Sequence, residues 1–508
     1  MMADGTKKVL LVAPEFEPFT NVGHLGRLTA NLAVALNEKG ICITDDEPET
    51  LESAKSMADE PDIDLRVAIP LYGGIPSEYT EHAVLVAEYE AVLGRRRSNC
   101  CIYQTEYRGV TVYLLSVADY FSNTKVYTNV SADIERFACF CGAALQLPEH
   151  IGFMPDIVQC HDWQTSYIPI LCSTYMAPFF DNLKFKIVFV IHSMRYQGIC
   201  SRYEMLDLLD LPGEYFSPSA LEFYGQANSL KGGLLFSDQL ITVSKTYAAE
   251  AQHSYYGENL EGLIRTRVKD LSGIMCGIDT DLYDPALDSK LWANYNSETF
   301  AENKQQNKLM LQREFNLPQN PDIPVICIIS KDLDHYKGMD LVKFVFDDIL
   351  KLDVQLIVTC KNESDFTEFF RLKAVEFPDK VAYSNYNGNI SATQLFSGCD
   401  IILRPSRVEP CGEKHLIAMR YGAIPIVRET GGLKDIVIPY SEETGEGNGF
   451  SFTNFNAHDM LYTLNKAVTL FREQRPQWNQ LVKQSMQVSF TWKDTAAEYL
   501  KIYKKMLD

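Results

Sequence analysis

A chain of 508 residues, 46% hydrophobic and 22% charged, has the composition of an ordinary globular protein, and its length predicts two or three domains. Its 47 basic and 67 acidic residues leave a net charge of −20. That balance argues against nucleic acid and anionic membranes as partners, and any phosphate site must be built locally from a few cations and backbone N–H groups. The 13 cysteines are scattered and lack the paired C-x-x-C spacing of a zinc site, so reduced core thiols are expected. Met1 to Lys8 is polar, and the apolar Val9 to Ala13 is too short for a signal peptide or a membrane span. A cytoplasmic protein is expected.

Lys8 to Ala13 reads as a buried strand, Asn21 to Gly26 as a glycine-containing loop, and Leu28 to Leu36 as a helix with Leu28, Leu32, Ala35 and Leu36 on one face. This strand–loop–helix opens a doubly wound sheet. Thr44 to Asp62 carries eight acidic residues and one lysine and reads as an exposed insertion. Further strands are predicted at Leu65 to Pro70, Val110 to Leu115, Ile157 to Cys160, Ile187 to Ile191 and Gln239 to Val243. A second series follows at Val325 to Ser330, Leu356 to Cys360, Val381 to Tyr383, Ile401 to Leu403 and Ala423 to Val427. Near-continuous apolar strands alternating with helices predict parallel sheets. The polar stretch Gly277 to Leu317 marks the junction between the two series, and Trp492 to Leu507 is an amphipathic helix. The expected fold class is α/β: residues 1–275 form one Rossmann-like domain, 276–485 a second, and 486–508 a closing helix that returns to the first.

In such sheets ligands bind outside the carboxyl ends of the strands. His161 and His192 each follow a strand directly. Lys337-Gly338 lies in the loop after Val325 to Ser330, where a lysine can reach a phosphate. Arg404 to Gly412 packs charges, turn residues and a glycine after another strand, and Thr430-Gly431-Gly432-Leu433 follows the last, with paired glycines that let backbone approach an oxyanion.

Taken in order, Pro405-Ser406-Arg407-Val408-Glu409-Pro410-Cys411-Gly412, Ala418-Met419-Arg420-Tyr421-Gly422 and Thr430-Gly431-Gly432-Leu433-Lys434-Asp435 resemble the signature of bacterial glycogen synthases and plant starch synthases. So do His161-Asp162-Trp163, Tyr196-Gln197-Gly198, Phe223-Tyr224-Gly225-Gln226, Leu230-Lys231-Gly232-Gly233, Val243-Ser244 and Gly277-Ile278-Asp279. The resemblance runs from about Lys8 to Tyr503. It implies the GT-B fold, two Rossmann-like domains with an interdomain cleft. It also implies retaining transfer of glucose from ADP-glucose or UDP-glucose to the non-reducing end of an α-1,4-glucan, with no metal and no cofactor. Carried over, His161 holds the donor sugar, Lys337 neutralises the diphosphate, and Glu409 contacts sugar hydroxyls and stabilises developing positive charge. Gly23, Lys331, Thr430, Gly431 and Gly432 complete the expected donor site.

The pattern breaks at several of these positions. The family's K-x-G-G-L-G reads Asn21-Val22-Gly23-His24-Leu25-Gly26, losing a lysine and a glycine. Its R-L-x-x-Q-K-G reads Asp332-Leu333-Asp334-His335-Tyr336-Lys337-Gly338, with a carboxylate for a phosphate-binding arginine. Ala132, Gln164, Ser193, the Cys360-Lys361-Asn362 segment and His415 also depart from the pattern. Two readings follow: a divergent glucan synthase, or an impaired paralogue that binds glucan or a partner synthase and regulates polymer synthesis.

Overall fold

The computed structural model describes residues 6–38, 63–122, 125–174, 184–385 and 390–508, so the predicted acidic insertion lies outside the described residues. The chain divides into two compact units. The first comprises Met1–Val243, Ala248–Ile274 and Trp492–Asp508, and the second Ser244–Tyr247 and Met275–Thr491.

Unit 1 is built on a nine-stranded sheet. Its parallel part runs in the order Leu271–Gly273, Gln239–Thr242, Lys186–Ile191, Ile157–His161, Lys7–Val12, Ile63–Pro70, Val110–Val117. The first strand therefore lies between the second and a later one, and the order reverses between Lys7–Val12 and Ile157–His161. The sequence reading predicted only parallel strands. Two long antiparallel strands, Arg96–Tyr107 and Val84–Leu93, extend the edge instead. They alternate buried Tyr89, Ala91 and Leu93 with exposed Glu88 and Glu90, the period-two pattern of a half-buried sheet, and so lack the continuous apolar run of the central strands. The hairpin into Val110–Val117 turns through Arg108 and Gly109, both at positive φ.

Unit 2 is a six-stranded parallel sheet in the order Val381–Ser384, Gln355–Cys360, Val325–Ser330, Ile401–Arg404, Ile424–Arg428, Phe450–Phe452. Numbered along this unit the order is 3-2-1-4-5-6, the Rossmann arrangement. Within the predicted junction the structure holds a helix, Phe300–Glu314. Hydrophobic periodicity could not reveal it, because its buried face is largely polar. Lys304 donates from Nζ to the carbonyls of Phe396, Ser397 and Tyr421, each at 3.0 Å, and Lys308 pairs with Asp400 at 2.7 Å. The lysine ammonium thus gathers carbonyls at the ends of two helices.

The predicted amphipathic helix forms over Trp492–Leu507 and belongs to unit 1. Trp492, Thr495, Ala496, Tyr499, Leu500 and Tyr503 make its buried stripe, which packs on the helix His24–Asn37.

Candidate functional site

The candidate residues fall into two groups, one at the topological switch point of each sheet, where a doubly wound fold presents its ligand-binding loops. In unit 2 those loops follow Val325–Ser330 and Ile401–Arg404. They are clamped together: Arg407 donates its backbone N–H to the Tyr336 carbonyl at 2.8 Å. Gly338, at φ 72°, sits so close to Pro405 that a Cβ there would lie 2.0 Å from the Pro405 carbonyl oxygen. Asp334 caps the short turn His335–Lys337 by accepting from the Lys337 N–H at 2.9 Å. The clamp points the Lys337 side chain at Glu409, with Nζ 2.9 Å from Oε2 and 3.1 Å from Oε1.

Glu409 has further partners. Ser406 Oγ donates to Oε2 at 2.9 Å and Arg404 Nε lies 3.6 Å away, itself anchored on Ser330 and the Ile329 carbonyl. Burial would push the carboxyl up, but Lys337 and Arg404 outweigh it and hold Glu409 well below the usual carboxylate range. His415, 1% exposed, adjoins the same group. Burial and the Arg404 charge lower it to about 3, so it is neutral at pH 7, and neither ring nitrogen has a hydrogen-bond partner among the described residues. Arg404 ends a strand in the sequence, but its charge on Glu409 is legible only from the fold.

One of the paired glycines engages its N–H within the protein. The Gly432 N–H donates to the carbonyls of Glu409 at 3.1 Å and Pro410 at 3.0 Å, so it is spent inside the protein instead of on a phosphate. A Cβ on Gly432 would lie 1.7 Å from the Cys411 carbonyl oxygen, and one on Gly431 2.2 Å from that of Glu409. The glycines let the Thr430 loop press against the Glu409 loop and fix its backbone. Thr430, fully buried, stands at the start of the six-residue helix Gly431–Ile436, where its carbonyl accepts the Leu433 N–H at 3.1 Å.

Lys331 and Asp332 are both exposed. Asp332 is not beside Lys337 in an ion pair; its Oδ1 accepts from Asn362 Nδ2 at 2.6 Å. The Lys331 carbonyl accepts the N–H groups of Lys361 and Asn362. Two departures from the family pattern, at 332 and at 360–362, therefore touch one another.

In unit 1, Val22 and Gly23 both donate their N–H groups to Glu15 Oε2 at 3.0 Å, and Tyr127 donates to the other oxygen. The Gly23 amide, predicted to serve the donor, is thus engaged by an internal carboxylate. Glu15 is 2% exposed, and nothing about its place in the sequence advertised it. Asn21 donates to Glu17 at 2.8 Å, and His24 opens the helix His24–Asn37 one turn earlier than predicted. Ala132 lies in the first turn of Val130–Ile151, its N–H capped by Asn129, while the neighbouring Asp133 forms a buried pair with Arg136 at 2.9 Å.

His161 was predicted to face a ligand; its ring is turned inward and 1% exposed. Nε2 lies 2.9 Å from Gln159 Nε2, and Nδ1 lies 2.9 Å from His192 Nε2. Burial lowers His161 to about 3. His192 is also held well below the usual imidazole range by burial, His161 and His24, and its Nδ1 has no hydrogen-bond partner among the described residues. Asp162, at φ 57°, accepts the His192 N–H at 2.8 Å and fixes that strand end; burial raises its carboxyl to about 7. Ser193 Oγ accepts the nearby Arg195 N–H at 3.3 Å. No group of three or more His, Cys, Asp or Glu side chains suited to a metal ion occurs among the described residues.

Comparison with known proteins matches these two units separately. Residues 54–266 match the starch synthase catalytic domain, and residues 312–484 match glycosyl transferases group 1. The catalytic domain of starch synthase IV from Arabidopsis thaliana, solved bound to ADP and acarbose, superposes with a TM-score of 0.84 at 26% identity over 99% of both chains. Sucrose-phosphate synthase from Thermosynechococcus elongatus shares the fold at a TM-score of 0.59 and 15% identity, over 98% of this chain and 99% of its own. These matches define a glycosyltransferase of the GT-B class. Glycogen synthases of Desulforamulus reducens and of a Bacillus cereus strain are 40% and 42% identical, each over 98% of this chain and 99% and 100% of their own. The chain belongs to the glycogen synthase family.

Proposed function

We propose that this protein transfers glucose, with retention, from ADP-glucose or UDP-glucose to the non-reducing end of an α-1,4-glucan. The observation that carries the reading is the Lys337–Glu409 pair, with Arg404 and Ser406 fixed around it at the switch point of unit 2. In this reading Lys337 neutralises the diphosphate leaving group as its charge develops. Glu409, kept ionised by its cationic neighbours, contacts sugar hydroxyls and stabilises positive charge at the anomeric carbon. Such fixed charges do their work without reorganising during the reaction. Thr430 and the Gly431–Gly432 turn hold the Glu409 backbone in place. Lys331 is the cation nearest in sequence to the missing arginine and is the candidate to replace it. His161 acts on the donor sugar through His192, whose Nδ1 is the ring atom left for a ligand. Residues 1–275 serve the acceptor and 276–485 the nucleotide sugar. Twelve free thiols and no helix long and apolar enough to cross a membrane, among the described residues, support a cytoplasmic setting.

The test is calorimetric titration with ADP-glucose and with UDP-glucose, beside Lys337→Ala, followed by elongation of a maltooligosaccharide. Micromolar binding of one donor, lost in the variant, with chain growth on addition of acceptor, is expected. No heat with either donor from folded protein would sink the reading and leave a paralogue that binds glucan or a partner synthase.

A further inference from the structure

We infer that Gln159 and Tyr503 are positioning residues: together they fix the tautomers of His161 and His192, so that the last helix of the chain decides which His192 nitrogen carries a proton. The strand Ile157–His161 alternates its side chains, so Gln159 and His161 share a face. Gln159, His161 and Tyr503 are 0%, 1% and 2% exposed, leaving no bulk water to exchange partners with. Tyr503 donates its hydroxyl to Gln159 Oε1, which turns the amide nitrogen towards His161. An amide nitrogen only donates, so His161 Nε2 must be the accepting nitrogen. A neutral imidazole has one ring proton, which then sits on Nδ1 and is donated to His192 Nε2 across 2.9 Å. His192 must in turn keep its proton on Nδ1, the atom without a partner among the described residues.

The chain Tyr503, Gln159, His161, His192 thus has a direction, and it ends in an N–H donor suited to an oxygen acceptor. With the Gln159 amide held this way round, reversing any one link alone would place two donors or two lone pairs face to face at a buried contact. The proposal takes the site from the function proposed above, but the tautomers stand independently of any turnover.

The test is imidazole nitrogen NMR on the full chain with ¹⁵N-labelled histidine, His161 and His192 being assigned by single replacement. Wild type should show both rings as the Nδ1–H form at pH 7.5. Gln159→Glu, which offers His161 Nε2 an acceptor, should convert both to the Nε2–H form. Tyr503→Phe, which keeps the packing, should give mixed tautomers. Under saturating donor, Gln159→Glu should lose about ten- to a hundredfold in kcat, with no matching fall in melting temperature. Nε2–H rings in the wild type would overturn the inference, as would spectra indifferent to both substitutions. If Gln159→Glu does not fold, wild type and Tyr503→Phe still decide it. Absence of glucosyl transfer in a wild type whose rings are both Nδ1–H would count against the function proposed above while supporting the tautomer chain.

Discussion

At the scale of single residues, the site is held by atoms that leave no slack. Gly432→Ala would drive a methyl group into the Cys411 carbonyl, 1.7 Å from the new Cβ. Because backbone must move on one side or the other, a loss of roughly 3 kcal/mol or more is expected, read as a lower urea midpoint. The buried histidines make a second prediction. His161 and His415, at about 3, and His192, also strongly lowered, stay neutral when folded, whereas each takes up a proton near pH 6.5 when unfolded. Between those values the unfolded chain binds more protons, so stability falls as pH falls. Asp162, raised to about 7 from 3.8 by burial, acts in the opposite sense over the same window, but it is one group against three. The urea midpoint should therefore drop steadily from pH 7 to 5. His415→Gln should flatten that slope by about 1.4 kcal/mol per pH unit. An unchanged slope would mean that His415 is not buried neutral.

At the scale of elements, two loops of unit 2, those after Val325–Ser330 and after Gln355–Cys360, carry a pair of departures from the family pattern, and they do so as a set. Asp332 and Asn362 lie on successive strand-to-helix loops and share a hydrogen bond at 2.6 Å. Asp332→Arg alone strands the Asn362 amide; Asp332→Arg with Asn362→Gly restores the arginine and removes that amide. The double variant should bind donor about tenfold more tightly than the parent, and more tightly than Asp332→Arg alone, in the same titration. What could be read from the sequence at this scale followed apolar content. The central strands, Val9–Val12 and Val325–Ile329 among them, announced themselves by unbroken burial. The Phe300–Glu314 helix did not, because Lys304, Asn307 and Lys308 bury polar heads on carbonyls and a carboxylate. Lys337 and Glu409 were legible from the motif and from strand ends. That Gly23 and Gly432 spend their N–H groups internally was not, because the partners, Glu15 and the Glu409 loop, are set by tertiary packing.

At the scale of the whole molecule, alternating strands and helices sufficed to foresee two doubly wound sheets, since right-handed crossovers leave few other arrangements. The antiparallel edge of unit 1 escaped because half-buried strands carry a weaker signal. The final helix, Trp492–Leu507, completes unit 1 although the chain reaches it only after building unit 2. Removing residues 492–508 should therefore damage unit 1: hydrogen exchange should speed up in Lys7–Val12 and His24–Asn37 while the Val325–Ser330 strand stays protected. Equal loss in both units would contradict this. The same arrangement orders events during synthesis. A ribosome must translate the stretch Met275–Thr491, roughly 200 residues, after the bulk of unit 1 has emerged and before its last helix exists. At about 5–20 residues per second that is a wait of roughly 10–40 s. For that time the face that Tyr499, Leu500 and Tyr503 will cover is open to chaperones, and the nascent chain finishes its second unit before its first.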